Sequence, residues 1–548
     1  MTEEERMKKR ILPIVELIIA FGFILFFSLK AINADEEINR IWAIKDCRIV
    51  PMNGPVIEKG VVVIREGLIE AVGDNVEVPA DAEVIDGSQF TVYPSFIDTL
   101  GKSFLKLPEK KFDPSKFYSC EFTDEDRGLT PDLRAFDYVE FSKTAREKYN
   151  EAGYSTIQIL PERGILTGQA SIFTINDSNK HRALLLKDSA LGIGFSVGAF
   201  GTYPSSLMGV VAYLKQTFSD TSYFNMHSQR WKAEMLNLPR PVYDPILDIL
   251  SGYVVEKKPI IFLCRNKNDI KRAIRLGIEF KLNYQICDLA GESFRVIPEL
   301  KKAKIPVILT LTFKAPATSI YAQKGREERS KAEMELYPKN PAKIAEAGIP
   351  IAFASLGVDD PETTIEGVMK AIENGLPREE ALKALTINPA SFTGLSKALG
   401  TVEQGKIANL IVTEGDILTE DAKIRYVFTD GNKFDIKEKK AEEGEKPTIN
   451  VTGKWELSLE TPMGSMKMNV DFLQEGASLS GKLSTQFGVS EFSGGTVSAN
   501  QISFDMVLSV AGQEIDLYFS AIVEKDTMTG TVIQGTMGSA EFTGKRIP

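Results

Sequence analysis

Val92-Tyr93-Pro94-Ser95-Phe96-Ile97-Asp98-Thr99-Leu100-Gly101-Lys102-Ser103 is where this chain changes its pattern. Before it lie short alternating apolar runs at residues 41–49, 61–65 and 68–72. Turn signals at Asn53-Gly54-Pro55 and Arg65-Glu66-Gly67 break them, as in a small β-domain. After it, from residue 94 to about 398, apolar strand-like runs alternate with segments of helical period, the pattern of a parallel α/β barrel. The runs at 96–100, 155–160, 260–264, 283–287, 307–311 and 351–355 predict strands. Helical segments include 269–276, 293–303, 341–347 and 363–374. Residues 163–231 read as a long insertion, so the eight strands of a full barrel are not all countable.

Beyond the barrel, KEKKAEEGEK at 437–446 reads as a solvated charged linker. Composition then shifts to Gly, Ser, Thr and alternating apolar residues. Eight short strands are expected at 453–459, 465–473, 478–484, 490–496, 502–510, 515–523, 528–533 and 539–545, forming an up-and-down barrel or a sandwich.

Composition narrows the function. A length of 548 residues suggests about three domains, and 43% hydrophobic with 26% charged residues is ordinary for globular protein. A net charge of −10, with no basic, aromatic-interleaved stretch, argues against nucleic acid as a partner. Cys47, Cys120, Cys264 and Cys287 form no C-x-x-C pair, and buried thiols are the expected reading, with a disulfide between Cys264 and Cys287 as the other. At the N-terminus Lys8, Lys9 and Arg10 precede an uncharged run at 17–29, with Ala34 at a possible cleavage point. This is the shape of a signal peptide or of an N-terminal membrane anchor, and it predicts export to the periplasm or cell surface.

The opening stretch resembles the first-strand signature of the metal-dependent amidohydrolase superfamily, V-x-P-G-x-I-D-x-H-x-H. Residues 62–73, Val62-Val63-Ile64-Arg65-Glu66-Gly67-Leu68-Ile69-Glu70-Ala71-Val72-Gly73, are similar to the preamble of that family's β-sandwich. Ala381-Leu382-Lys383-Ala384-Leu385-Thr386-Ile387-Asn388-Pro389-Ala390 resembles its A-L-x-A-x-T-x-N-P-A segment. The stretch Gly400-Thr401-Val402-Glu403-Gln404-Gly405-Lys406-Ile407-Ala408-Asn409-Leu410-Ile411-Val412 resembles its return into the sandwich, with Asn409 for the usual Asp. The run at 203–210 resembles the imidazolonepropionase-like branch. Gly453-Lys454-Trp455 resembles the opening of lipocalin-like barrels.

The resemblance implies a (β/α)8 TIM-type barrel at 94–399 and a composite β-sandwich from 35–93 with 400–435. The charged linker then spans 436–448 and an all-β domain 449–548, after an N-terminal segment at 1–34. It also implies zinc or another divalent metal at the strands' C-terminal ends, where bound water is acidified far enough to ionise near neutral pH.

The same alignment removes the ligands. The two first-strand histidines fall on Leu100 and Lys102, the fifth-strand histidine on Leu263 and the last-strand aspartate on Leu356. At the sixth strand the candidates are Asp288, Leu289 and Ala290. Histidines number two in the chain, His181 and His227, and both read as surface or loop residues. A binuclear site needs about four, so no metal cofactor is expected.

Three escapes remain. Asp359 or Asp360 could replace Leu356, although a helix N-cap is the expected role. Lys102 could act as base or nucleophile if desolvated, although pairing with Asp98 is expected; Lys102 and Asp98 are the two weak catalytic candidates. Cys264 is expected to point outward into the helix layer.

The leading expectation is an exported, non-catalytic subunit or scaffold that pairs with an intact amidohydrolase homologue and touches the membrane through its N-terminal segment. The alternatives are a hydrolase of carbon–nitrogen bonds with a rebuilt site, and a ligand-binding module using the C-terminal β-domain.

Overall fold

Alternation in the first hundred residues becomes sheet: β1 (Trp42–Ile49), β2 (Ile57–Arg65), β3 (Leu68–Gly73), β4 (Glu83–Asp86) and β5 (Phe90–Pro94). In this computed structural model the described residues are 40–547, apart from 109–121, 197–201, 236, 312–334, 359, 420, 437–446, 462–463, 486–487, 511–512 and 535–538. They divide into two units, meeting at residues 436 and 437.

Eight further strands follow: β6 (Phe96–Gly101), β7 (Tyr154–Ile159), β8 (Leu166–Thr174), β9 (Leu184–Gly194), β10 (Ile260–Cys264), β11 (Tyr284–Asp288), β12 (Val307–Thr310) and β13 (Ile351–Ala354). The chain then returns to the first sheet with β14 (Leu410–Glu414), β15 (Lys423–Thr429) and β16 (Asn432–Asp435). The order there is β16-β15-β14-β5-β1-β2-β3, with β4 beside β1. Antiparallel pairing of Val92 with Val412 and Tyr93 with Ile411 joins segments more than 300 residues apart. Alternate residues Ile44, Val62, Ile64, Val92, Leu410, Val412 and Phe428 fill one core. Phe428 meets Trp42 edge-on at 6.2 Å although two strands lie between them in the sheet, so the sheet curls over its own apolar face.

The second sheet runs β6 through β13 in sequence order. Its ends meet: the Leu356 N–H donates to Leu100 O at 2.9 Å and the Ser355 N–H to Asp98 Oδ1 at 2.9 Å. Gly101 lies at this seam, where a Cβ would sit 2.7 Å from Asp98 Oδ2 and 2.8 Å from Ser355 Oγ; no other residue fits without displacement. Outward residues such as Phe262, Ile286, Leu309 and Phe353 are buried with Ile270, Ala273, Ile344 and Val368 of the surrounding helices.

Two expectations need correction here. Residues 163–231 are not all insertion, for they carry β8 and β9. Moreover β8 runs antiparallel to both neighbours, so the barrel is not uniformly (β/α)8. The reading looked for a strand followed by a crossover helix, whereas β7, β8 and β9 meander, with only the four-residue helix Lys180–Ala183 between β8 and β9. An antiparallel strand needs no crossover, so the expected signal is missing.

The second unit is a closed antiparallel barrel of β17 (Gly453–Thr461), β18 (Gly464–Glu475), β19 (Ser478–Thr485), β20 (Gly488–Ser498), β21 (Gln501–Val510), β22 (Gln513–Glu524), β23 (Thr527–Gln534) and β24 (Ser539–Arg546). A barrel rather than a sandwich follows because β17 also pairs with β24. Inside, Phe492 stacks on Phe504 at 4.2 Å and Phe504 on Phe519 at 4.7 Å. Buried Trp455 donates Nε1–H to Val451 O at 2.9 Å beneath the Arg546 guanidinium, 4.7 Å from the ring.

The expected membrane contact is also corrected. Among the described residues no helix is long and apolar enough to cross a membrane. The run at 17–29 that carried the expectation lies outside the described residues, as do Cys120, Asp359 and the linker at 437–446. The structure offers no support for pairing with a homologue either.

Candidate functional site

The inward faces of β6 to β13 enclose one small volume, and its lining is apolar. Leu100, Leu160, Ala170, Ala190, Ile261, Leu263, Cys287, Ile308, Ala354 and Leu356 form a single buried cluster, with Leu289 and Phe392 packed against it. Leu100 and Leu356 are fully buried and Leu263 nearly so. Inward and outward residues alternate along each strand, so Leu263 enters this cluster while the next residue, Cys264, faces the helix layer.

Register decides the thiols. Leu263 pairs with Cys287 and Cys264 with Asp288, so the two thiols project to opposite faces of the sheet. Cys47, Cys264 and Cys287 are free and buried. Burial holds the Cys264 and Cys287 thiols well above the usual thiol range, with Asp288 nearby pushing the same way, so neither is a ready thiolate.

Asp98 and Lys102 lie apart. Asp98 is buried, and each of its oxygens is taken. Oδ1 accepts from the Ser355 and Leu100 N–H groups at 2.9 and 3.3 Å; Oδ2 accepts from Ser355 Oγ and from Tyr149 OH at 3.2 Å. Tyr149 OH also meets Ser103 Oγ at 2.9 Å. Burial raises the Asp98 carboxyl above its ordinary range against these hydrogen bonds, and raises Tyr149 well above 10 with Asp98 adding to it. Lys102 instead reaches Glu162 at 3.3 Å, and Arg265 approaches the same carboxylate at 3.9 Å. The expected Lys102–Asp98 pair is therefore corrected. A register shift between Asp98 and Gly101 puts them in different surroundings, one inside the seam and one at the rim.

The remaining candidates are occupied too. Asp288 is buried and accepts from the N–H groups of Ala290, Glu292 and Ser293 at 3.2, 3.2 and 2.7 Å, organising the turn after β11. Asp360 caps the helix Pro361–Glu373 through the Thr363 N–H at 2.9 Å, the role expected of it. His181 is exposed on the helix Lys180–Ala183, against Phe136. His227 lies on the helix Leu207–Ala233 rather than in a loop.

A divalent cation needs lone pairs converging on one point. Among the described residues no group of three His, Cys, Asp or Glu side chains does so. Leucine side chains have no lone pair to offer, and both oxygens of Asp98 are committed to the seam. These residues do not fit the metal that the family resemblance implies. The reading of the sequence missed Ser355, Tyr149 and Glu162. Ser355 stands directly before Leu356 in the quoted last-strand motif, but its partner is 257 residues away and is reached only by barrel closure.

Comparison with known proteins follows the same lines. The model of the amidohydrolase family matches residues 339–436. The chain is 37% identical over 99 residues to an imidazolonepropionase of Flavobacterium psychrophilum, 17% of this chain and 23% of that one. It is 39% identical over 83 residues to an imidazolonepropionase of Thermoplasma acidophilum, 14% of this chain and 20% of that one. The matched segment thus spans about a quarter or less of these relatives. The crystal structure of an amidohydrolase from Thermotoga maritima superposes with a TM-score of 0.58 at 24% identity, covering 72% of this chain and 99% of that one. Residues 339–436 thus match the amidohydrolase family, and the first unit has the fold of that amidohydrolase.

Proposed function

We propose that this protein is a non-catalytic amidohydrolase-like scaffold, whose barrel keeps the family's frame and has exchanged its metal site for apolar packing. One observation carries the reading: Leu100, Leu263 and Leu356, at three positions where the family places ligands, meet in a single buried cluster. Stripping a divalent cation of water among such side chains costs several kcal/mol or more with nothing in return. Random loss of ligands would leave assorted side chains; three leucines in contact point to a filled pocket. The basic residues ahead of the apolar run at 17–29 favour export, which fractionation of expressing cells tests.

A rebuilt carbon–nitrogen hydrolase is the competing reading, and Lys102 with Glu162 and Arg265 at the strand ends is the observation in its favour. Ligand binding inside the second unit is less favoured, because Phe472, Phe492, Phe504 and Phe519 occupy its interior against one another. Metal analysis of the purified chain, with a hydrolysis screen on dipeptides and lactams, separates the readings. The scaffold reading expects no bound metal and no turnover. Stoichiometric zinc, metal-dependent turnover, or turnover abolished by Lys102→Met would overturn it.

A further inference from the structure

Where the start of β7 and the end of β8 meet the returning sheet, the first unit buries a group of polar side chains. Thr156 and Thr174 stand directly opposite each other in the β7–β8 ladder. Ser155 Oγ lies 3.4 Å from Thr156 Oγ1 and also meets Ser95 Oγ. Asn409, the departure from Asp in the exit motif, spans the junction. Its side-chain N–H donates to Thr156 Oγ1 at 3.2 Å, and its oxygen accepts from the Asp430 N–H at 2.7 Å. Asp430 and Gly431 form the tight turn between β15 and β16, both in left-handed backbone at φ 50° and 76°. Gly67 packs against this turn, where a Cβ would sit 3.0 Å from Asp430 O, so the turn is held in one place.

Charge and unmet hydroxyls single out Asp430. Its carboxyl is partly buried; burial raises it above the ordinary range, and the neighbouring Thr174 and Asn176 side chains draw it back down. No charged group acts on it among the described residues. Arg146, which donates to Asn176 O at 2.6 Å, exerts no attraction on it. Beside this carboxylate two hydroxyls go unmet: Thr174 is 1% and Thr429 0% exposed, and neither Oγ1 makes a hydrogen bond of normal geometry. Thr174 lies against Asp430, and Thr429 precedes it in the turn. Leaving such groups dry and unmet is costly. One carboxylate among hydroxyl and amide oxygens is a hard donor set carrying a single negative charge. A divalent ion there would leave net positive charge in a mostly buried place, so the charge that matches is one. Partial exposure of Asp430 gives an ion its way in.

We propose that Asp430, with the side-chain oxygens of Thr174, Thr429 and Asn176, binds one monovalent alkali cation that ties the barrel to the flanking sheet. Thermal melts of the full chain in lithium, sodium, potassium and tetramethylammonium chloride, all at one ionic strength, test it. Screening is the same in the four salts, so a midpoint higher by about 2 °C or more in an alkali salt reports binding to the folded chain. That midpoint should climb with the concentration of the favoured ion. Asp430→Asn removes the charge with a residue that accepts left-handed backbone, so the variant should fold and lose the response. Thr174→Val keeps the shape and should move the response to higher ion concentration. Thallium NMR of the wild-type chain reads the site without any variant, and a bound signal displaced by the favoured alkali ion is expected. Equal midpoints in all four salts, the outcome for a bound water or a protonated carboxyl, would overturn the proposal. So would an Asp430→Asn chain that keeps the full response, or the lack of a displaceable thallium signal.

Discussion

Ser355 and Asp98 fasten the first barrel strand to the last: the Ser355 N–H donates to one carboxylate oxygen at 2.9 Å and the Ser355 hydroxyl to the other. The Asp98 side chain adds to the backbone bond from the Leu356 N–H to Leu100 O at the same seam. Its position gives this buried aspartate a structural role at the seam.

Removing that carboxylate should open the seam. Asp98→Ala leaves the Ser355 and Leu100 N–H groups and the Tyr149 hydroxyl buried without their acceptor, so a loss of about 3–4 kcal/mol is expected. Ser355→Ala keeps the backbone bond and should cost only about 1–2 kcal/mol. Urea unfolding of both variants gives the comparison, and equal losses would refute this account of the seam.

The pH dependence has a definite sign. Burial raises the native Asp98 carboxyl above its ordinary range, so the folded chain holds that proton more tightly than the unfolded chain, where the pKa is about 3.9. Its contribution to stability is complete below about pH 3.9 and declines as pH rises through the elevated native value. The free energy of unfolding of wild type, relative to Asp98→Asn, should therefore fall with rising pH above about pH 4. Asp288 is shifted the same way and is common to both chains, so it cancels in the difference.

The leucine cluster should behave as core. Leu263→Ala should cost about 2–5 kcal/mol, the range for a buried leucine that leaves a cavity. Leu356→Asp should cost at least as much, since it buries a carboxylate with no donor arranged to meet it, and added zinc should not recover the loss. Thermal melts with and without zinc check this; a zinc-dependent rise in melting temperature for Leu356→Asp alone would show that a metal site survives.

In the second unit, Trp455 combines apolar burial with one hydrogen bond to Val451 O and cover from Arg546. Trp455→Ala should cost about 3–5 kcal/mol, Trp455→Phe markedly less, and Arg546→Ala about 1 kcal/mol through the ring contact and the bonds to Thr452 O and Asn450 O. Chemical denaturation of each variant measures the order.

Local pattern settled more of this protein than chemistry did. All eight C-terminal strands fall where alternation and turn residues place them, because each pairs antiparallel with its sequence neighbour. Strands β6, β7 and β10 to β13 were likewise legible, since each is a continuous buried apolar run bounded by helix or turn signals. Strands β8 and β9 were not, because an antiparallel meander inside a parallel barrel breaks the expected alternation with helices. The motif resemblance alone set the expectation that Leu100, Lys102, Leu263 and Leu356 stand at the family's ligand positions. Tertiary structure alone decided what those positions became. Barrel closure brought residues 100, 263 and 356 into one cluster, gave Asp98 to Ser355 rather than to Lys102, and sent Lys102 to Glu162. Contacts between residues 60 to 257 positions apart depend on register and closure, and no local stretch of sequence encodes either.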